Sequence, residues 1–270
     1  MINFEQIKTD EQSLKNYTNL LNLVFGKDSF NMDYLRWLYK DNPYGEAFGF
    51  DAYYEEKLIA HYVTIPVIYE LEKIKFKGLL SLNTATHPDF QGRGLFTQLA
   101  TKTYNLAQNL NFDFVIGVAN KNSTHGFINK LGFKLIAPLD VYLSIGTKSK
   151  FGSLDSKFLS SFDLNYINWR VSKPNNGYFI FNDNIFSKTN LIFTSVCFSV
   201  RYESSKLHFK KPSFIVTLGL NNKPKNLFKM RIPDIFKPSP LNLIFKTFND
   251  DLNNIGKNDI IFEAIDFDAY

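Results

Sequence analysis

LNTATHPDFQGRGLFTQL, Leu82 to Leu99, is the stretch on which the reading of this chain turns. A strand ends near Ala85, and a short loop carries Gln91-Gly92-Arg93-Gly94. An amphipathic helix follows at once, predicted over Leu95–Asn109, with Leu95, Phe96, Leu99, Ala100, Thr103, Leu106 and Ala107 on one face. The first N–H groups of a helix have no intrahelical acceptor and carry partial positive charge, so they attract phosphate. Two glycines let the backbone turn sharply and approach a ligand, and Arg93 and Lys102 add positive charge. The loop lacks both the Walker GK[ST] ending and the six-residue dinucleotide fingerprint. Alone, it also fits an ordinary strand-to-helix turn.

Outward from this stretch, the pattern stays alternately helical and strand-like. Upstream, helices are predicted at Ser13–Phe25 and Asp33–Tyr39, and strands at Ala47–Tyr54, Lys57–Tyr69 and Lys73–Ala85. Gly78 falls near the middle of the last strand, where a glycine is expected to loosen it. Downstream, FDFVIGVA (Phe112 to Ala119) is a continuous apolar run suited to a strand buried on both faces. Asn120-Lys121-Asn122-Ser123 is a cap-rich entry to a short helix, Thr124–Leu131, and Gly132 stands where a left-handed C-cap belongs. Phe133–Ile136 and Val141–Ile145 read as strands.

Two blocks in this order, His87-Pro88-Asp89-Phe90-Gln91-Gly92-Arg93-Gly94-Leu95 and then Asn120, Ser123 and Lys130-Leu131-Gly132-Phe133, carry a family resemblance. Over about Phe48 to Ile145 the sequence resembles the GNAT (GCN5-related N-acetyltransferase) superfamily. The resemblance implies an α/β fold, a mixed central sheet with flanking helices, and acetyl-CoA as acyl donor. It also implies that backbone groups of Leu82, Asn83, Thr84 and Ala85 serve the pantetheine and thioester, and that the loop Gln91, Gly92, Arg93, Gly94 and Leu95 holds the pyrophosphate. Asn120 is expected at the pantetheine and Ser123 near the sulfur. Three positions depart from the family pattern. Phe96 stands where many members have Gly or Ala, so it either narrows or lines the cofactor groove. Ile128 replaces the usual acid Tyr, and Leu80 replaces a Glu base found in some members. The catalytic residues therefore stay open. His61 and His125 are the candidate proton carriers, and both also read as structural histidines.

The second half repeats a signature of the first. FNMDYLRW (Phe30 to Trp37) and FDLNYINW (Phe162 to Trp169) place Phe, Tyr, an aliphatic residue and the chain's two Trp at the same spacing. An internal duplication is expected: a tandem of two GNAT-like domains at 1–147 and 151–270, the second degenerate, with a polar linker at Lys148–Ser156. The position equivalent to Gln91 is Lys223, where no Q-x-G-x-G pattern occurs, so the second half is expected to shape the acceptor pocket without binding coenzyme A. Ile260–Phe267 alternates as a half-buried strand does.

Composition limits the classes of function. Among 270 residues are 28 Phe and 14 Tyr, and the charged fraction of 21% is too low for a disordered chain. The net charge of +5 comes from scattered lysines with few arginines, unlike a nucleic-acid stripe. The four histidines lie far apart, so no metal is expected. A lone cysteine, Cys197, and no apolar run of about 18 residues suggest a cytoplasmic protein without a membrane span. The expected activity is acetyl transfer from acetyl-CoA to a primary amine. The two-part layout resembles acetyltransferases linked to surface-polysaccharide assembly, which suggests an amino sugar or a nucleotide-linked one. The alternatives are a FemABX-like aminoacyl transferase and a non-catalytic coenzyme-A-binding protein.

Overall fold

The computed structural model describes residues 1–26, 29–145, 157–174, 178–181, 184–188, 194–199, 214–221, 228–233 and 240–267. The predicted linker and Lys223 lie outside these residues. In chain order the elements of the first half are β1 (Ile2–Gln6), α1 (Glu11–Phe25), α2 (Met32–Tyr39), β2 (Phe48–Tyr54), β3 (Lys57–Leu71), β4 (Ile74–Thr86), α3 (Leu95–Asn109), β5 (Phe114–Ala119), α4 (Lys121–His125), β6 (Lys134–Pro138) and β7 (Asp140–Ile145). A π turn, Gly126–Lys130, extends α4. The second half adds β8 (Leu159–Ser160), α5 (Leu164–Val171), β9 (Tyr178–Phe181), β10 (Asn184–Lys188), β11 (Thr194–Ser199), β12 (Phe214–Leu220), β13 (Lys229–Arg231), β14 (Asn242–Thr247) and β15 (Phe262–Glu263). Among the described residues no helix is long and apolar enough to cross a membrane.

Local chemistry sets the helix ends. Asp10 caps α1 by accepting from Ser13 N at 3.0 Å, and its other oxygen accepts from the Ser13 hydroxyl at 2.7 Å. Gly26 closes α1 with φ 119° and gives its N–H to Asn22 O. The Ser13 N–H, then its hydroxyl, hold the Asp10 carboxyl below its ordinary range. A carboxylate depressed in this way stabilises the fold above its unfolded pKa, and that contribution is lost as pH falls through the folded value. Asp10→Ala is expected to cost about 0.5–1 kcal/mol at neutral pH. In urea titrations the gap to wild type should close as pH drops below about 4.

Two mixed sheets organise the chain. The first has the order β1-β2-β3-β4-β5-β14-β6, with β8 added beside β3. The second runs β13-β7-β12-β11-β10-β9, with β15 beside β12. Among the described residues each sheet has one parallel pair, β4 with β5 and β11 with β12. Each also holds a strand from the other half: β14 fills the place between β5 and β6, and β7 fills the place between β12 and β13. The halves 1–147 and 151–270 are thus joined by exchanged strands. Their shared signature meets at the centre. Trp37 Nε1 donates to Trp169 O at 2.7 Å, and Trp169 Nε1 donates to Trp37 O at 2.8 Å. The two indole rings stack 4.9 Å apart. These tryptophans are buried, so the repeat builds the junction between the halves.

Two expectations change in the structure. Gly78 does not loosen β4; it lies beside its partner Phe114, and a Cβ on it would fall 2.1 Å from the Phe114 ring. Its missing side chain seats a ring that also contacts Tyr69, Phe158 and Phe245. Ile260–Phe267 is not a half-buried strand. Every residue in it is buried, and only Phe262–Glu263 pairs as a strand before a 3₁₀ turn at Ala264–Asp266.

Candidate active site

The site begins where two parallel strands part. β4 and β5 pair over Gly78↔Phe114 to Ser81↔Gly117, and no further. Beyond that point β5 keeps its bonds to β14 through Ala119, and β4 keeps its bonds to β3 through Thr86. Asn83 sits at the break with φ 44°, and the β3–β4 register shifts between His61 and Val63. The chain therefore opens a V whose β4 edge offers the backbone groups of Leu82, Asn83 and Thr84 to a ligand.

A cavity of about 390 Å³ fills the V. Leu82, Asn83 and Thr84 form one wall, and Gly117 and Val118 form the other. Phe96, Asn120, Ser123 and Phe127 also line it, as do Phe25 and Phe30 and, from the second half, Leu241 and Phe267. Among the sixteen described residues that line it none is ionisable.

The loop into α3 meets this cavity at Phe96. Gly92 and Gly94 have φ 74° and 72°, in the left-handed region. A Cβ on Gly92 would meet nothing within 4 Å, and on Gly94 only Gln98 Nε2 at 3.8 Å. Backbone conformation, not crowding, calls for glycine here. With Gly94 as N-cap, α3 has no side-chain cap. Arg93 stays beside the helix start, donating to Asp89 O at 3.3 Å with its guanidinium over the Phe90 ring. An exposed, uncapped helix start next to an arginine suits a diphosphate, and a V of free strand groups suits the amides of pantetheine. Coenzyme A thus fits both ends of the site.

The expected site residues fall into place unevenly. Leu82, Asn83, Thr84, Phe96, Asn120 and Ser123 line the cavity, while Gln91, Gly92, Arg93 and Gly94 are exposed on the loop. Leu95 and Ala85 have buried side chains, leaving only backbone for a ligand. Asn120 Oδ1 is committed to capping α4, accepting from Asn122 N and Ser123 N at 3.0 Å, so its amide NH₂ is the free end. Phe96 packs edge-on against Phe127, with ring centres 5.0 Å apart. It also lies over Gly126, where a Cβ would come within 2.9 Å of the ring. The bulky Phe96 is accommodated by a glycine and lines the groove. His125 is exposed at the end of α4, outside the cavity wall. His61 is fully buried and also absent from the wall, but it bonds to Tyr39, which bonds to Asn83 in the wall. Tyr39, Phe25, Leu241 and Phe267 escaped the sequence reading because no local motif marks them, and Phe30 entered it only through the repeated signature.

Residues 6–136, 131 of the chain's 270, match the family described as "Acetyltransferase (GNAT) domain". No curated protein sequence matches the chain significantly. Among solved structures, a "Probable N-Acyltransferase" of Enterococcus faecalis V583 superposes with a TM-score of 0.63 at 7% identity, covering 92% of this chain and 73% of that one. A GCN5-related N-acetyltransferase from Kribbella flavida gives 0.62 at 9% identity, over 92% and 72%. Eis1 of Mycobacterium abscessus gives 0.56 at 8%, over 92% and 73%. The fold is that of the GNAT proteins, and the likeness extends over both halves.

Proposed function

We propose that the chain is an acetyl-CoA-dependent N-acetyltransferase whose acceptor is a primary amine on an uncharged body, an amino sugar. The observation that carries this reading is the strand opening that meets an uncapped, glycine-turned helix start at Phe96. Strand N–H groups at Leu82 to Thr84 supply preorganised donors where a thioester carbonyl gains charge under attack. Phe25, Phe30 and Phe267 offer flat apolar surface for a sugar ring, and Ser81, Asn83 and Thr84 offer hydrogen bonds to its hydroxyls. No described cation lines the cavity to pair with a nucleotide diphosphate, which favours the free sugar over a nucleotide-linked one. A glycine loop suited to diphosphate favours coenzyme A over the charged tRNA of the FemABX-like reading.

With no ionisable group in the described wall, the amine arrives neutral and its proton leaves through water. In a thiol-release assay, glucosamine is expected to be acetylated and spermidine to react at least about tenfold more slowly, its charges unpaired in an uncharged wall. The pH profile of kcat/KM should rise with the acceptor's own pKa, so acceptors of different basicity should shift it in parallel. An enzyme-borne limb at one fixed pH would count against direct attack by a pre-neutralised amine. Tight acetyl-CoA binding with no amine-dependent thiol release would favour the non-catalytic binding protein.

A further inference from the structure

We propose that the side-chain oxygen of Asn83 receives an N–H of the acceptor amine, and that a buried chain of Tyr39, His61 and Asp51 holds the amide so that this oxygen faces the cavity. The proposal rests on the reading of the cavity as an N-acetyltransferase site.

The chain runs from the core to the cavity wall. Asp51 and His61 are buried, with His61 Nδ1 at 2.6 Å from Asp51 Oδ1. A carboxylate only accepts, so Nδ1 carries the proton. The other carboxylate oxygen accepts from Tyr17 OH at 2.8 Å, and that hydroxyl accepts from Lys8 N. We assign the imidazole a single proton, on Nδ1, the assignment that agrees with Asn83 Nδ2 donating to Tyr39 OH; Nε2 then accepts from Tyr39 OH at 3.3 Å. Burial pushes the Tyr39 phenol up from its ordinary range, so it keeps a proton to give. Having given its one proton to His61, Tyr39 can only accept, and Asn83 must offer Nδ2 across their 3.2 Å contact. In this assignment every link donates toward Asp51.

The orientation of the Asn83 amide follows from this order. A flip would set its oxygen against the lone pairs of Tyr39 and leave a buried acceptor without a donor. Oδ1 is thereby the free end, takes no hydrogen bond from a described residue, and belongs to a residue in the cavity wall at the strand break. An acceptor oxygen there suits an N–H that must be held without being protonated, as a neutral amide carries no charge to favour the ammonium form.

Two variants test this at pH 8, with glucosamine or 2-phenylethylamine, whichever turns over faster. Asn83→Gly keeps a residue at ease with φ 44° while removing the amide. It is expected to raise KM for the amine about tenfold or more, the scale of one lost hydrogen bond. Tyr39→Phe leaves Asn83 in place but frees its amide, and should raise the amine KM about threefold to tenfold with the calorimetric Kd for acetyl-CoA nearly unchanged. A purely structural chain would lower Tm in Tyr39→Phe and leave the amine KM where it was, which would overturn the proposal. Amine-dependent turnover indifferent to Asn83→Gly would also overturn it while leaving the acetyltransferase reading intact. A wild-type protein that binds acetyl-CoA but acetylates neither amine removes both.

Discussion

Cut after Thr147, the chain is expected not to fold: the fragment 1–147 should show no cooperative melt and bind no acetyl-CoA. The reason lies in the exchanged strand. β14 pairs with β5 over six positions and with β6 over four, and the fragment lacks it entirely. β5 then loses a whole row of hydrogen bonds beside the strand opening, and an unpaired backbone edge in a core is costly. Leu243, Ile244 and Phe245, all buried, go with it. At about 1.5–3 kcal/mol for each buried apolar side chain, their loss approaches the whole stability of an ordinary domain, about 5–15 kcal/mol. Trp37 loses its stacked partner and the acceptor for its indole N–H. Co-expression of 1–147 with 148–270 should restore a single cooperative unit that binds acetyl-CoA. Calorimetry and circular dichroism on the fragment alone decide the matter: a two-state melt with acetyl-CoA affinity would show that the first sheet closes without β14.

Gly94→Val is expected to weaken acetyl-CoA binding about thirtyfold or more, near 2 kcal/mol, while the protein stays folded. At φ 72° a β-branched residue costs about 1–2 kcal/mol, and the surroundings are open, so nothing but the backbone resists. The loop relieves this strain by turning away from the left-handed conformation. The first N–H groups of α3 then no longer converge on a diphosphate. In a chain of this size the folding cost should lower Tm by only a few degrees. Gly94→Ala should lie between wild type and Gly94→Val, since alanine tolerates the conformation better. Isothermal titration with acetyl-CoA reads the effect, and unchanged affinity in folded Gly94→Val would remove the loop from the cofactor site.

Legibility in the sequence followed the range of the interaction. α3 spans Leu95–Asn109 as its 3.6-residue periodicity predicts, because its face and its uncapped start are both local properties. β5 reads as buried on both faces and lies between β4 and β14. The strand exchange was not legible, because alternation says which side of a strand is apolar but not which neighbour it pairs with. DVYLSI of β7 and NLIFKT of β14 are equally plausible companions for either sheet. The chain from Asp51 to Asn83 was invisible for a similar reason: its members lie on β2, β3, α2 and β4, and only the packed fold brings them within hydrogen-bond distance. Phe25 comes to the cavity from the end of α1, Phe30 from the loop after it, and Leu241 and Phe267 from the second half, where composition shows only another apolar residue.

The exchange also sets a clock on synthesis at the ribosome. β5 ends at Ala119 and β14 starts at Asn242, so 122 residues lie between them. At roughly 5–20 residues per second, β5 waits about 6–24 s and β6, which ends at Pro138, about 5–21 s for the strand that belongs between them. Through that interval a nascent chain carries two unpaired edges flanked by Phe114, Val115 and Ile116, a template for joining another such chain. Slower translation of the second half should therefore lower soluble yield, and a chaperone that shelters strand edges should raise it, with no change in the stability of the finished protein.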